Sequence, residues 1–175
     1  NLVNVVATLN DTIVGANQVQ GGTFTFNRDV AEDGTLKLTA SDVTSLYNLS
    51  FAAGDGADTF IGGAGADTLS GESGADSLTG GAGNDKIDLS HDAGGLIKGV
   101  SVQGGQGVDA ITLSADASTV VSSTQILGGG GNDTITMTAF GSSTLLGGAG
   151  ADSIGATGAL TSGYIDAGAG VALVS

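Results

Sequence analysis

The sequence predicts an all-β fold, a parallel β-roll or β-helix solenoid, and three observations carry the prediction. A nine-residue block repeats without a break through AGDGADTFI GGAGADTLS GESGADSLT GGAGNDKID, residues 53–88. Glycine is abundant, with 33 residues in 175, and proline is absent. The chain is 40% hydrophobic but only 4% aromatic, so its core has to be narrow and filled with small aliphatic side chains. A glycine-rich disordered linker carries little apolar mass. A short fixed period instead marks a solenoid, in which each repeat buries its apolar face only against its neighbours.

Residues 1–52 are the least regular. NDTIV (10–14) has the tail of the block without its glycines. TFTFN (23–27) and TLKLT (35–39) alternate apolar and polar residues as half-buried strands do. GANQVQGG and AEDG have turn composition, and SDVTSLYNLSF (41–51) reads as a strand or a short helix. The expectation for 1–52 is a set of degenerate β coils that continue the stack, with a separate small β unit as the alternative.

The solenoid proper is expected over 53–175. In 53–88 each block follows G-G-x-G-x-D-x-U-x, where U is a large apolar residue. The sixth place holds Asp58, Asp67, Asp76 and Asp85, and the eighth holds Phe60, Leu69, Leu78 and Ile87. Glycine adopts positive φ at little steric cost, so the first six residues can turn tightly. The next three form a short strand with U pointing inward. Two blocks then make one flattened coil, turn–strand–turn–strand, with the motif on both sides. Turns on one side are 18 residues apart, which puts Asp58 beside Asp76 and Asp67 beside Asp85.

From residue 80 to 175 the coils lengthen and carry the motif once each. The turn recurs as GGQGVD (104–109), GGGGND (128–133) and GGAGAD (147–152). Starts at 80, 104, 128, 147 and 166 give intervals of 24, 24, 19 and 19, the remainder of each coil being a longer strand and loop. Ile87, Ile111, Ile135 and Ile154 fall in one inward column, and Leu89, Leu113, Met137 and Ala156 in the next. Val102, Ile126, Leu145 and Tyr164 form a third. The last coil, AGAGVALVS, has Ala172 where the acid should stand, so the acidic column is expected to end before it.

Eighteen acidic residues against four basic ones give a formal charge of −14. That opposes binding to nucleic acid, whose phosphates need neutralising, and to anionic membrane surfaces. No apolar run approaches the length of a membrane-spanning helix, so no membrane insertion is expected. Cysteine is absent, so no disulfide contributes.

The position of the acids says what the charge is for. A carboxylate at every tight turn, two turns stacked, and glycine carbonyls turned inward together supply hard oxygens. Calcium takes six to eight of these at about 2.3–2.6 Å. Without a cation the stacked carboxylates would repel one another. One column would hold Asp67, Asp85, Asp109, Asp133 and Asp152, the other Asp58 and Asp76, with room for about five calcium ions. Ala53 replaces the first glycine of its block, and Glu72 and Ser73 interrupt the glycines before Asp76. Asp92 and Asp116, at one offset in two coils, read as solvated loop acids, with a further cation site on the opposite side as the alternative, and His91 as a turn residue.

Residues 53–88, with the turns at 104, 128 and 147, resemble the RTX (hemolysin-type) calcium-binding repeat family. The resemblance implies a parallel β-roll or β-helix, an extracellular location, type I secretion, and folding after export on meeting calcium. Carried onto this sequence, the carboxylate ligands correspond to Asp58, Asp67, Asp76, Asp85, Asp109, Asp133 and Asp152. The carbonyls that complete the shells correspond to Gly54 and Gly56, Gly63 and Gly65, Gly81 and Gly83, Gly105 and Gly107, Gly129 and Gly131, and Gly148 and Gly150.

No catalytic constellation is visible. There is no G-x-S-x-G, H-E-x-x-H or P-loop motif, only one histidine and no cysteine, so the chain is read as a non-enzyme. Its Ala/Gly/Ser/Thr/Val-rich, acidic composition resembles that of S-layer proteins of Gram-negative bacteria. The expected function is a calcium-binding structural module of a secreted bacterial cell-surface protein: an S-layer, a surface filament or a giant surface protein. The chain is expected to be a piece of a longer polypeptide, with calcium, further copies of itself or the remaining parent chain as partners. The alternatives are a C-terminal secretion and folding domain of a secreted enzyme or toxin, or an adhesin module.

Overall fold

The computed structural model describes residues 4–8, 23–27, 35–39, 48–54, 56–89, 96–114, 120–138, 141–157, 162–170 and 173–174. Every regular element among the described residues is a β-strand. The N-terminal strands are β1 (Asn4–Thr8), β2 (Thr23–Asn27), β3 (Thr35–Thr39) and β4 (Asn48–Ala52). The repeat region supplies β5 (Thr59–Ile61), β6 (Thr68–Ser70), β7 (Ser77–Ala82) and β8 (Lys86–Asp88). The longer coils supply β9 (Leu96–Lys98), β10 (Ser101–Gln106), β11 (Ala110–Leu113), β12 (Val120–Ser122), β13 (Gln125–Gly130) and β14 (Thr134–Met137). The last four are β15 (Thr144–Ala149), β16 (Ser153–Ala156), β17 (Tyr164–Asp166) and β18 (Leu173–Val174).

The chain alternates between two parallel eight-stranded sheets. One runs β1-β3-β5-β7-β10-β13-β15-β17 and the other β2-β4-β6-β8-β11-β14-β16-β18. This is a β-solenoid in which each coil adds one strand to each sheet. TFTFN and TLKLT are strands as expected, and of the strand-or-helix stretch 41–51 the residues from 48 on are a strand, while 41–47 lie outside the described residues. β1 and β3 join the first sheet through β5, and β2 and β4 join the second through β6. The NDTIV, GANQVQGG and AEDG segments lie outside the described residues.

The core has two facing columns of apolar side chains, aliphatic except for one phenylalanine in each. Phe51, Leu69, Ile87, Ile111, Ile135 and Ile154 are register partners in the second sheet, and all are buried. Phe60, Leu78, Val102, Ile126 and Leu145 do the same in the first. At this depth each such side chain contributes about 1.5–3 kcal/mol of burial. Phe51 and Phe60 meet across the core, ring centroids 4.8 Å apart. Leu89, Leu113 and Met137 form a third buried column, with Ala156 half-buried at its end.

Two details depart from the sequence expectation. In the 24-residue coils the extra length is a third face, where β9 pairs with β12 in a short parallel sheet and Ile97 and Val121 turn inward. In the last coil the register pairs Leu145 with Ile165 and Leu146 with Asp166. The turn after 147 therefore begins at Ala167 and not at 166. Ile165, not Tyr164, takes the inward place. One added residue flips every following side chain of a strand to the other face. Tyr164 is accordingly 57% exposed, its hydroxyl donating to Asp166 Oδ2 at 3.3 Å.

Candidate metal centre

The sixth place of each block precedes an inward-facing strand residue by two positions, so its side chain also points into the coil. All seven predicted aspartates are buried: Asp58, Asp67, Asp76, Asp85, Asp109, Asp133 and Asp152 are each no more than 2% exposed. They form two columns. Along the first edge, the N–H groups of Asp67, Asp85, Asp109 and Asp133 donate to Oδ1 of Asp85, Asp109, Asp133 and Asp152, at 2.7–2.9 Å. At the top of this column the N–H of Leu49 donates to Asp67 Oδ1 at 2.8 Å. Along the second edge the N–H of Asp58 donates to Asp76 Oδ1 at 3.0 Å.

In the first column the second carboxylate oxygen is left over. Oδ2 of Asp67, Asp85, Asp109, Asp133 and Asp152 is buried and has no hydrogen-bond partner. A buried anionic oxygen without a partner is costly, so five in a row call for a counter-charge. The glycine opening each turn lets that oxygen and a carbonyl of the next turn come close to its α-carbon, where a side chain would clash with both. A Cβ on Gly128 would lie 2.5 Å from Asp133 Oδ2 and 2.5 Å from the carbonyl oxygen of Gly147 in the next turn. On Gly147 it would lie 2.6 Å from Asp152 Oδ2 and 2.5 Å from Ala167 O. Gly62, Gly80 and Gly104 repeat the arrangement with Asp67, Asp85 and Asp109 and the carbonyls of Gly80, Gly104 and Gly128. Carboxylate oxygen from one turn and carbonyl oxygen from the next face a common cradle, which suits a hard cation such as calcium. Among the described residues no three acidic or imidazole side chains converge, so backbone carbonyls would have to supply much of any shell.

Most glycines at the second and fourth places take the positive-φ path expected of them, and Gly63 and Gly65 do not. Gly81, Gly83, Gly105, Gly107, Gly129, Gly131, Gly148 and Gly150 have φ between 112° and 136°, and Gly54 and Gly56 have 84° and 124°. The carbonyls of Gly63 and Gly65 are the atoms closest to a Cβ added at Gly81 and Gly83, so these turns stack carbonyl over α-carbon. Gly63 O accepts from Ala82 N–H at 2.8 Å. Glu72 stands at a second place and holds φ at 56°, its carboxylate accepting from Ser70 Oγ at 2.9 Å. The substitution therefore keeps the left-handed path at a cost of about 1–2 kcal/mol. The glycines opening each turn were the element that sequence reasoning underused. The signal was the doublet itself: two adjacent glycines where one suffices for the turn.

The second edge is built differently. Ladder bonds from Ser77, Ser101, Gln125 and Thr144 N–H to Asp58, Asp76, Val100 and Thr124 O place Asp58, Asp76, Val100, Thr124 and Ser143 in one column. Val100 ends the run of acids. Thr124 and Ser143 are 2% and 3% exposed, and their hydroxyl oxygens have no partner. Buried Ala53 opens the turn of Asp58, and Leu89 Cδ2 and Asp76 Oδ2 both lie 3.0 Å from a Cβ added at Gly71. Apolar atoms thus stand beside the acid on this edge, where the first edge brings a carbonyl of the next turn. His91, Asp92, Asp116 and Ala172 lie outside the described residues.

Electrostatics of the first column follow from burial. Desolvation pushes the Asp67 carboxyl up from 3.8 to about 6, against the N–H groups of Leu49 and Gly63, which favour the anion. Asp85 rises to about 7, chiefly by desolvation, with the neighbouring charges of Asp67 and Asp109 adding to it. Asp133 rises to about 6 through desolvation and the charges of Asp109 and Asp152, and Asp109 is raised by desolvation. The column is short of positive charge.

Compared with protein-family models, the chain matches the RTX calcium-binding nonapeptide repeat in four copies, over residues 53–87, 125–136 and 139–156. The chain therefore carries RTX calcium-binding repeats. The turn 104–109 falls between the matched segments, and strand register puts its Asp109 in the same column. No curated protein and no solved structure matches the chain.

Proposed function

We propose that this chain is a calcium-binding structural module of a secreted bacterial cell-surface protein, which folds, and assembles with further copies or its parent chain, on meeting extracellular calcium. The observation that carries the reading is the row of five buried, unpartnered Oδ2 atoms along one edge, each facing a carbonyl of the next turn. In this reading the carboxylates of Asp67, Asp85, Asp109, Asp133 and Asp152 bind calcium in the four gaps between their turns. The carbonyls of Gly63, Gly65, Gly81, Gly83, Gly105, Gly107, Gly129, Gly131, Gly148 and Gly150 complete the shells. Asp58 and Asp76, with Gly54 and Gly56, supply a further gap on the second edge. About five ions would take the formal charge from −14 to about −4. Each ion binds a site that the unfolded chain lacks, so its binding free energy becomes folding free energy. RTX repeats are typical of secreted bacterial proteins, and the acidic, cysteine-free composition fits that setting.

Size-exclusion chromatography with light scattering, in EGTA and then in millimolar calcium, tests the proposal. Contraction with growth into large species supports both folding and assembly. Contraction to a compact monomer supports calcium-coupled folding and removes self-assembly. No change in either quantity removes the calcium reading.

A further inference from the structure

The residue just before each member of the first column stands at the outer surface of its turn. In successive coils this place holds Asn48, Ala66, Asn84, Val108, Asn132 and Ala151, so asparagine occurs in every second coil. All three asparagines do the same thing. Oδ1 of Asn48 accepts from Ala66 N–H at 3.0 Å, Oδ1 of Asn84 from Val108 N–H at 2.9 Å, and Oδ1 of Asn132 from Ala151 N–H at 2.9 Å.

One residue further on, the bond between the same two turns runs the opposite way. Asp85 N–H donates to Asp109 Oδ1, and Asp133 N–H to Asp152 Oδ1, each at 2.8 Å. Each of these gaps is thus closed by a reciprocal pair, in which the earlier turn lends a side-chain oxygen to the later and the later returns one. In the gaps Asp67/Asp85 and Asp109/Asp133, the earlier turn has Ala66 or Val108 at that place. Neither side chain has an oxygen, so there the aspartate bond has no reciprocal side-chain bond beside it, and only the backbone ladder accompanies it. The third clamp, Asn48 to Ala66, lies where Leu49 takes the acid's place, so it ties that turn onto the first turn of this column that carries an acid.

We infer that the calcium sites of the first column fall into two alternating classes, set by Asn84 and Asn132. The clamped gaps Asp85/Asp109 and Asp133/Asp152 bind first, and the singly tied gaps Asp67/Asp85 and Asp109/Asp133 bind second. This rests on the calcium reading above. The physical reason is preorganisation. A cation shared by two turns needs them at a fixed separation, and the facing carboxylates push them apart until it arrives. A neutral bond across the gap does part of that ordering in advance, and the calcium affinity gains what the ordering would have cost. The asparagines lie at the exposed rim and their oxygens are taken by the N–H groups of Val108 and Ala151, so they are positioning residues. One net hydrogen bond corresponds to roughly a two- to tenfold difference in affinity between the classes.

Calcium titration by isothermal calorimetry on the full chain tests this with three proteins: the wild type, the double variant Asn84→Ala/Asn132→Ala, and the double variant Ala66→Asn/Val108→Asn. The wild type should give two classes. Removing both asparagines should weaken the tight class by roughly two- to tenfold and leave the weak class where it was, a selectivity that a general loss of stability would not produce. Adding asparagines at the exposed places of Ala66 and Val108 should strengthen the weak class by a similar factor. That variant decides the matter if the first does not fold. A single class in the wild type, or unchanged constants in the added-asparagine variant while calcium still binds, overturns the inference. A wild type that binds no calcium overturns the calcium reading itself, and the two failures are distinct.

Discussion

Asp109 lies in the middle of the acidic column, and its replacement separates two roles that a single carboxylate plays. Its Oδ1 accepts the buried N–H of Asp85, and its Oδ2 is the unpartnered oxygen facing the carbonyl of Gly128. Asp109→Ala removes both. In EGTA the cost is that of an orphaned buried N–H, about 1–3 kcal/mol. In calcium at about a hundredfold excess over the dissociation constant, each lost site adds about 2.7 kcal/mol. Two gaps share Asp109, so the calcium-dependent loss should approach about 5 kcal/mol. Asp109→Asn keeps an oxygen for the Asp85 N–H and removes only the charge. In EGTA it should match or exceed the wild type, since it relieves Asp85 and Asp133 of a like-charged neighbour. In calcium it should lose nearly as much as the alanine variant. Urea midpoints in EGTA and in calcium, with calorimetric stoichiometry, measure the two parts. Calcium stoichiometry should fall by two in both variants. If the asparagine variant binds calcium like the wild type, the shared-carboxylate argument is wrong.

Three further outcomes are expected. In the metal-free protein, Asp67, Asp85 and Asp133 have folded-state values near 6–7 against 3.8, so the fold holds more protons than the unfolded chain. Their contribution is therefore full at low pH and lost as pH rises from about 4 to about 7. Circular dichroism in EGTA should find the chain more folded at pH 5 than at pH 7.5, and apparent calcium affinity should fall as pH drops below about 6. Equal folding at both pH values in EGTA would count against the buried-carboxylate account. Gly128→Ala puts a methyl 2.5 Å from Asp133 Oδ2 and Gly147 O, where contacts of this kind prefer about 3.3–3.6 Å. It should cost about 1–3 kcal/mol through overpacking and remove one ion from the stoichiometry, and an unchanged calcium count would show that the cradle is not a binding space. Thr124→Val removes a buried hydroxyl that has no partner, so thermal stability should hold or rise, and a loss above about 1 kcal/mol would mean the hydroxyl is satisfied after all.

Much of this protein is written in its sequence because a solenoid is built from local rules. A nine-residue period fixes where each strand begins, and the inward place follows from alternation along it. Asp67 and Asp85 could be paired from their 18-residue spacing alone, and so could the stacking of Ile87 on Ile111 from a 24-residue one. The tertiary structure decided what depends on the exact length of each coil and on contacts between coils. One residue more in the last coil moved Ile165 inward and Tyr164 out, and no local property of that strand foretells it. The third face of the longer coils arose because six residues beyond a plain coil of 18 suffice for one more short strand, and β9 and β12 found each other there. The divergence of the two edges was equally hidden. Val100, Thr124 and Ser143 look unremarkable in the sequence, and only inter-coil register puts them under Asp76, where they close that edge to further carboxylates. Sequence alone fixed the period, the inward columns and the acids that stack. The fold decided which oxygen each acid keeps unpartnered, since that depends on which N–H the next coil brings within reach.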